Sequence, residues 1–152
     1  RRVLFRSETL STASRLDFWS KAATFVAEAP VLGHGTGSIR PLYQSMEATK
    51  PSPYGEAVAD PHNQFLHVVL QVGAIGGILL IAMWIAHVRL FLGHDLASTL
   101  GLAVVLQNLI GSLFNSHLSS VTQGMLYCLA VGLVGGLVLR QGLVVPASRT
   151  TN

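Results

Sequence analysis

The sequence predicts an all-helical integral membrane protein, with three transmembrane helices preceded by a partly helical segment outside the membrane. The chain has 152 residues, of which 50% are hydrophobic and only 11% are charged, whereas soluble domains carry about 25% charged residues. Residues 1–60 hold 13 of the charged side chains and residues 61–152 hold 4. This asymmetry predicts a water-facing region over 1–60 and a membrane region over 61–152. It excludes a purely soluble enzyme and a disordered tail.

Three hydrophobic stretches reach the length of about 20 apolar residues that a helix needs to cross a bilayer. The first predicted span, near 65–86, lies within a run that has no Asp, Glu, Lys or Arg. Residues 96–139 also lack these side chains, but this run of 44 residues is twice as long as one span requires. The polar run 115–120 divides it, which predicts two further spans near 97–114 and 121–139.

The basic residues of the short connections predict how these spans are oriented. The link between the first two spans carries Arg89, and the tail after the third carries Arg140 and Arg149. Because Lys and Arg are more frequent in cytoplasmic loops, the link and the tail are expected in the cytoplasm. The run 115–120 has no basic residue, so it is expected on the outer face together with residues 1–60.

The outer segment is expected to contain one helix and a loop. Thr12 or Ser14 can cap a helix that ends near Ala27. Prolines and a glycine within residues 40–60 predict a mobile loop over the membrane. Residues 1–7 fit none of these elements, and whether they are native stays open. Without an initiating Met or a signal peptide, the chain is expected to be the C-terminal fragment of a longer membrane protein.

Several kinds of site find little support in the residue pattern. The basic residues form no run or helical face, which disfavours nucleic-acid binding. The single cysteine, Cys128, excludes an internal disulfide. The loop Gly33–Ser38 can cradle an anion with its backbone N–H groups, but it lacks the Lys of a phosphate-binding loop, and a helix-terminating turn is favoured. His62 and His67, with Asp60 nearby, lack the four-residue spacing of helical zinc ligands, so a metal site is disfavoured.

His62 lies where the outer loop enters the first span, in Asp60-Pro61-His62-Asn63-Gln64. Because proline suits the first turn of a helix, Pro61 predicts that His62 and Asn63 belong to that turn, at the membrane interface. An imidazole there can serve as a general base near neutral pH. It can equally be a polar anchor of the helix end, and position alone leaves both interpretations open.

Arg15 is ambiguous in the same way. A guanidinium is always charged and can bind a phosphate group through two parallel hydrogen bonds. An ion pair with Asp17 or Glu8 on a solvated surface is the simpler interpretation, and the residue pattern alone favours it. Asn115 and His117 belong to the polar run 115–120, which is called the polar tip below. They can border a cavity on the outer side, although a role as polar residues at the end of a helix is favoured.

Four motifs occur in a fixed order along the chain. They are Ser14-Arg15-Leu16-Asp17-Phe18-Trp19, Ala29-Pro30-Val31-Leu32-Gly33-His34-Gly35-Thr36-Gly37-Ser38, Asp60-Pro61-His62-Asn63-Gln64-Phe65-Leu66 and Gln71-Val72-Gly73-Ala74-Ile75-Gly76-Gly77. This succession resembles the O-antigen ligase and polymerase superfamily of bacterial membrane glycosyltransferases, over about residues 10–140. The resemblance implies a GT-C-like, multi-spanning fold in the bacterial inner membrane, with the active site facing the periplasm.

The resemblance also implies an activity and its partners. Members transfer a glycan from undecaprenyl pyrophosphate to an acceptor, without a metal or another cofactor. The acceptor is lipid A–core in the ligases, a lipid-linked repeat in the polymerases and a protein in a related branch. O-antigen ligation to lipid A–core, in lipopolysaccharide biosynthesis, is the activity that we favour, with polymerisation and protein glycosylation as alternatives.

The resemblance matches two residues to essential residues of the family, and the chemistry suggests a role for a third. The essential arginine of the family matches Arg15 and its essential histidine matches His62, 47 residues further on. Arg15 is expected to bind the donor pyrophosphate, His62 to act on the acceptor hydroxyl, and Asn63 to orient a sugar or the imidazole. A second arginine of the family lies further upstream and has no counterpart in this chain, so the fragment alone is expected to be inactive.

A non-enzymatic membrane transport or assembly subunit is the competing class. Such a protein is expected to line a path through the membrane with ionisable side chains. The three predicted spans contain no Asp, Glu, Lys or Arg, which disfavours this class.

Overall fold

A computed structural model describes residues 2–51 and 60–144. Within these ranges the protein is all-helical and has no β-strand, as the sequence predicts. Its elements are α1 (Arg2–Glu28), α2 (Ile39–Thr49), α3 (Gln64–Leu90), α4 (Leu96–Ser112), a 3₁₀ turn (His117–Ser119) and α5 (Val121–Val144).

The chain forms two compact units. The first comprises Arg1–Ile81 and Ser112–Ser116, and the second comprises Ala82–Gly111 and His117–Asn152. The core of the first unit is built by α1, α2 and the beginning of α3, from Phe18, Ala22, Phe25, Ile39, Tyr43 and Leu70. The core of the second unit contains Phe91, Val105, Tyr127 and Val131.

Two of the helices are long and apolar enough to cross a membrane. They are Gln64–Leu90 and the segment Val121–Gln141 of α5. The apolar helix α4 has 17 residues, or about 25 Å at 1.5 Å per residue, which is shorter than the roughly 30 Å of a bilayer core. The predicted span near 97–114 therefore stays a prediction.

Helix α1 begins much earlier than the sequence predicts. It starts at Arg2 rather than at Thr12 or Ser14, so residues 2–7 belong to a regular helix. The physical reason is that residues 2–28 contain no Gly or Pro. Because adding a residue to an existing helix is easier than starting one, a possible capping residue does not by itself interrupt it.

Helix α2 corrects the prediction of a mobile loop over residues 40–60. Its apolar residues recur at spacings of three and four, which is the pattern of an amphipathic helix, and two of them, Ile39 and Tyr43, are buried. Pro41 lies in the first turn, where a missing N–H costs no hydrogen bond. The prediction is therefore wrong for residues 40–49, while residues 52–59 lie outside the described ranges.

Helix α3 is broken at Gly73. This residue has φ 67° and ψ −161° in the middle of the helix, a conformation that is accessible to glycine but not to other residues. A β-carbon placed on Gly77 would lie 3.2 Å from the ring of Phe65. Since twelve residues of straight helix span about 18 Å, this proximity requires that the two parts of α3 bend toward each other.

The second unit pairs its interior polar groups. The indole Nε1 of Trp84 donates a hydrogen bond to Asn108 Oδ1 at 3.3 Å. The Tyr127 hydroxyl lies 2.8 Å from His87 Nδ1. Polar side chains between apolar helices are tolerated when they find partners of this kind.

Candidate functional site

The candidate site is built on residues 60–63, directly before α3, and this segment is called the link below. The backbone N–H of His62 donates a hydrogen bond to Asp60 Oδ1 at 3.0 Å. His62 has φ 51° and is the single non-glycine residue with a positive φ within the described ranges. A positive φ is sterically unfavourable for a residue with a β-carbon. Such backbone conformations cluster at functional sites, which draws attention to His62.

Asn63 is the N-terminal cap of α3. Its Oδ1 accepts a hydrogen bond at 3.0 Å from the backbone N–H of Leu66, which lies three residues further along the chain. This is the usual geometry of a helix cap. Its Nδ2 donates to the carbonyl oxygen of Leu113 at 3.0 Å. The prediction that Pro61 starts the helix is therefore wrong: α3 begins at Gln64, because the left-handed backbone of His62 cannot continue a right-handed helix.

Two aromatic side chains of α1 contact this link. Trp19 Nε1 donates a hydrogen bond to the carbonyl oxygen of Pro61 at 3.0 Å. The rings of Phe18 and His62 have centroids 6.4 Å apart, and Phe18 is buried in the core of the first unit. The imidazole of His62 is half-buried, so it is supported on one side and open on the other.

Arg15 lies one helical turn before these aromatic residues on α1. Residues three and four positions apart share one face of a helix, so Arg15 is on the face that carries Phe18 and Trp19. Its side chain is exposed and makes no ion pair with residues 13–51 or 60–141, whose side chains the structure describes; Glu8, the other predicted partner, lies outside these ranges. Asp17, which the sequence offered as a partner for Arg15, pairs instead with Lys21 at 2.9 Å.

Lys21 shows how α1 and α2 are held together beside the site. Its ammonium is buried and lies 2.9 Å from Asp17 and 2.9 Å from Glu47 of α2. Burial alone would lower the pKa of Lys21, but the hydrogen bonds and charges of the two carboxylates raise it above its ordinary value. Lys21 is therefore a structural cation that connects α1 to α2.

Among residues 60–63, Asp60 makes the largest number of polar contacts. Besides the N–H of His62, its Oδ1 accepts a hydrogen bond from Ser116 Oγ at 2.5 Å and lies 3.6 Å from His67 Nδ1. Burial would raise the pKa of Asp60, but His67, Ser116 and the His62 N–H together lower it to about 2. The carboxylate is therefore ionised at neutral pH.

Asp60 and His67 lie close together, but a metal site needs at least a third ligand beside them. Among the side chains of residues 13–51 and 60–141, no group of three His, Cys, Asp or Glu is arranged to hold a metal ion. His62 and Asp60 meet through a backbone N–H, not through the imidazole.

The glycine-rich loop after α1 docks on the break of α3. The N–H of His34 donates to the carbonyl of Leu70 at 3.0 Å, and the N–H of Gly35 donates to that of Gln71 at 2.9 Å. The N–H of Gly37 donates to Gln71 Oε1 at 2.7 Å. These three N–H groups are occupied by α3, which argues against the anion-binding interpretation of the loop.

The polar tip after α4 contributes to the site through Ser116. Asn115 is exposed, and its Oδ1 accepts a hydrogen bond from the backbone N–H of Ser116 at 2.9 Å. His117 belongs to the second unit, where it lines a cavity of about 260 Å³ together with Gln107, Asn108, Gln123 and Tyr127.

Three contributors to the site were missed at the level of sequence: Asp60, Trp19 and Ser116. Asp60 carried a usable signal, because an Asp two residues before His62 has the spacing of a side chain that accepts a backbone hydrogen bond in an Asx turn. Trp19 and Ser116 lie 42 and 56 residues from their partners, and no local pattern predicts such contacts.

The family model described as O-antigen ligase matches residues 3–81. The chain belongs to this family. The match contains Arg15, His62 and Asn63 and ends at the last residue of the N-terminal stretch of the first unit. Membership indicates a ligase activity of the glycosyltransferase type, with glycan and lipid-linked substrates. Together with the two long apolar helices, it indicates a membrane protein. No curated protein and no solved structure matches the chain.

Proposed function

We propose that the chain is part of an inner-membrane enzyme that transfers a glycan from undecaprenyl pyrophosphate to lipid A–core on the periplasmic face. The O-antigen ligase match supports this proposal, since it covers both Arg15 and His62. The single observation that carries the catalytic assignment is the geometry of His62. Its backbone is strained and fixed by Asp60, and its imidazole is half-buried against Phe18.

The reaction needs few protein groups. The bond between the anomeric carbon and the pyrophosphate oxygen breaks, and a bond to the acceptor hydroxyl oxygen forms. His62 takes the proton of that hydroxyl as general base, and the lipid pyrophosphate leaves as an anion. Because pyrophosphate is a good leaving group, neither a strong general acid nor a metal ion is required.

Arg15 is proposed to bind the donor pyrophosphate. Its guanidinium is exposed and makes no ion pair with residues 13–51 or 60–141, and it lies on the α1 face whose next turn contacts Pro61 and His62. There it stabilises the charge that grows on the pyrophosphate oxygens as the glycosidic bond breaks. Asn63, whose side chain bonds to Leu66 and Leu113, fixes the start of α3 beside His62, and it is proposed to orient the imidazole or a sugar.

The role of Arg15 predicts the behaviour of two variants of the full-length protein. Arg15→Lys keeps the charge but loses the planar pair of donors, so it should not restore full transfer. Arg15→Ala should weaken binding of the lipid-linked donor, measured with purified protein and labelled donor. Transfer that is unchanged in a normally inserted Arg15→Ala variant would contradict the role.

The active face is proposed to be periplasmic. Three membrane spans then place residues 8–60 and 115–120 in the periplasm and residues 87–95 in the cytoplasm, as the distribution of Arg indicates. Alkaline phosphatase fused at Ser45 or Ser119 should be active, and fused at Gly93 it should be silent. An active fusion at Gly93 would overturn this topology.

A complementation experiment tests the function and separates it from its nearest alternatives. The full-length gene is expressed in a strain that lacks the ligase and in one that lacks the polymerase. Restoration of long O-antigen bands on lipopolysaccharide in the first strain alone is the expected result. Restoration in the polymerase-deficient strain alone would assign polymerisation instead, and failure in both strains would contradict both assignments.

A further inference from the structure

Asp60 holds the backbone of His62 in its strained conformation. With φ 51°, His62 occupies the left-handed region, which a residue with a β-carbon enters only when its surroundings hold it there. The bond from the His62 N–H to Asp60 Oδ1, at 3.0 Å, closes the turn that contains this conformation. Releasing that bond allows φ to return to the negative range and redirects the imidazole.

The carboxylate that makes this bond is itself fixed. Ser116, which lies 56 residues further along the chain, donates its hydroxyl to the same Oδ1 at 2.5 Å. His67 Nδ1 lies 3.6 Å away, on the first turns of α3. Asp60 therefore contacts the rest of the link, the beginning of α3 and the polar tip. Because Ser116 and His67 restrict the position of its carboxylate, they also restrict the position of the His62 N–H that bonds to it.

Other contacts hold the link but do not determine the backbone of His62. Trp19 fixes the carbonyl group of Pro61, and Asn63 caps α3 through Leu66. The ring of Phe18 supports one side of the imidazole. Asp60 is the described residue whose side chain bonds directly to the main chain of His62.

We infer that Asp60 is a positioning residue that acts through His62, by holding the imidazole in the orientation needed to take the proton of the acceptor hydroxyl. This inference rests on the proposed function. In this role Asp60 contacts neither the glycan donor nor the glycan acceptor. The role requires a side-chain oxygen that accepts the hydrogen bond of the His62 N–H, and it does not require the negative charge of the carboxylate.

The test is a double-mutant cycle in the full-length enzyme, with transfer rates measured over a range of lipid-linked donor concentrations up to saturation. Asp60→Ala should lower kcat by about 10–100-fold, the usual cost of losing a group that orients a catalytic residue, and leave the KM for the donor within about 3-fold. Asp60→Asn should stay within about 3-fold of wild type, because its Oδ1 can still accept from His62 and Ser116.

The background that lacks His62 separates positioning from a general structural role. In a His62→Ala protein, adding Asp60→Ala should change the residual transfer by less than about 2-fold. If Asp60 acts only through His62, its substitution has nothing further to remove once the imidazole is absent, so the effects of the two substitutions are not additive. A further loss comparable to the loss in the wild-type background would overturn the inference. So would an Asp60→Asn variant as inactive as Asp60→Ala, because the charge would then be the essential property.

Two further variants keep the result interpretable. Asp95 also accepts hydrogen bonds at the start of a helix, from the backbone and hydroxyl of Ser98, so Asp95→Ala is the matched control and should leave transfer unchanged. If Asp60→Ala fails to insert, Ser116→Ala replaces it and should lower kcat in the wild-type background but not in His62→Ala. An equal loss in both backgrounds would overturn the inference. Normal transfer by His62→Ala alone would instead reject the proposed function.

Discussion

Helices α3 and α5 contain the same glycine pattern but have different structures. In α3 the pattern Gly-x-x-Gly-Gly runs over residues 73–77, and in α5 it runs over residues 132–136. Helix α3 breaks at the first glycine of its pattern, whereas α5 continues from Val121 to Val144. Both helices are apolar, so neither glycine spacing nor hydrophobicity explains the difference.

The loop after α1 provides the explanation. A β-carbon on Gly73 would meet the backbone of Val31 and Leu32, whereas one on Gly132 would meet nothing within 4 Å. The break frees an N–H group and two carbonyl groups of α3, and the loop binds all three: Pro30 O accepts from Ala74 N at 2.8 Å, and His34 and Gly35 donate to Leu70 and Gln71. Unpaired backbone groups are costly in an apolar environment, so the break is stable because the loop satisfies them.

This difference matters for the candidate site because the first part of α3 begins at Gln64, two residues after His62, and ends at the break. Asn63 and Asp60 fix the beginning of this short helical segment, and the loop fixes its end. A glycine pattern in an apolar helix thus becomes a break only where another segment of the chain supplies hydrogen bonds.

Gly73→Ala should give the largest change in stability. The new methyl group would collide with the Val31 backbone, and alanine would be strained at φ 67°. Overpacking and a left-handed alanine together cost about 2–5 kcal/mol. Thermal unfolding of the full-length protein in detergent should show a markedly lower Tm, and a Tm equal to wild type would show that the break does not depend on glycine.

Gly33→Ala tests the same contact from the side of the loop. Its β-carbon would lie 2.5 Å from the Gln71 carbonyl carbon and 2.6 Å from the Gly73 nitrogen, and its φ is 68°. We expect a loss of about 2–4 kcal/mol. Because both glycines serve one contact, the double variant Gly33→Ala/Gly73→Ala should lose less stability than the sum of the two single losses. A strictly additive result would contradict a shared contact.

Gly132→Ala should give the smallest change. The position is exposed, helical and open, and alanine is the better helix former by about 1 kcal/mol or less. The Tm of this variant, measured beside that of Gly73→Ala, should equal or slightly exceed the wild-type value. A loss as large as that of Gly73→Ala would mean that glycine is required throughout both patterns.

The elements that the sequence predicts well are those with long local patterns. The uncharged runs led to α3, α4 and α5, and ordered motifs led to Arg15 and His62. Helix α2 could also have been recognised, because Ile39, Leu42, Tyr43 and Met46 have helical spacing, but the prolines that follow obscured it.

The remaining features depend on contacts between distant residues. The break at Gly73 could not be predicted from α3 alone, since α5 has the same pattern and no break. The left-handed backbone of His62 is bonded to Asp60, whose carboxylate accepts a hydrogen bond from Ser116, beyond the end of α4. Long-range hydrogen bonds of this kind leave no periodic signal in the sequence.

The most direct test of the account is transfer by His62→Ala in the full-length enzyme, reconstituted with lipid-linked donor and lipid A–core. If His62 takes the acceptor proton, transfer should fall by about 10²–10⁴-fold, while insertion and donor binding stay normal. The exposed His94 of the second unit provides the matched control, and His94→Ala should transfer normally. Near-normal transfer by His62→Ala would contradict the account and reduce His62 to an anchor at the start of α3.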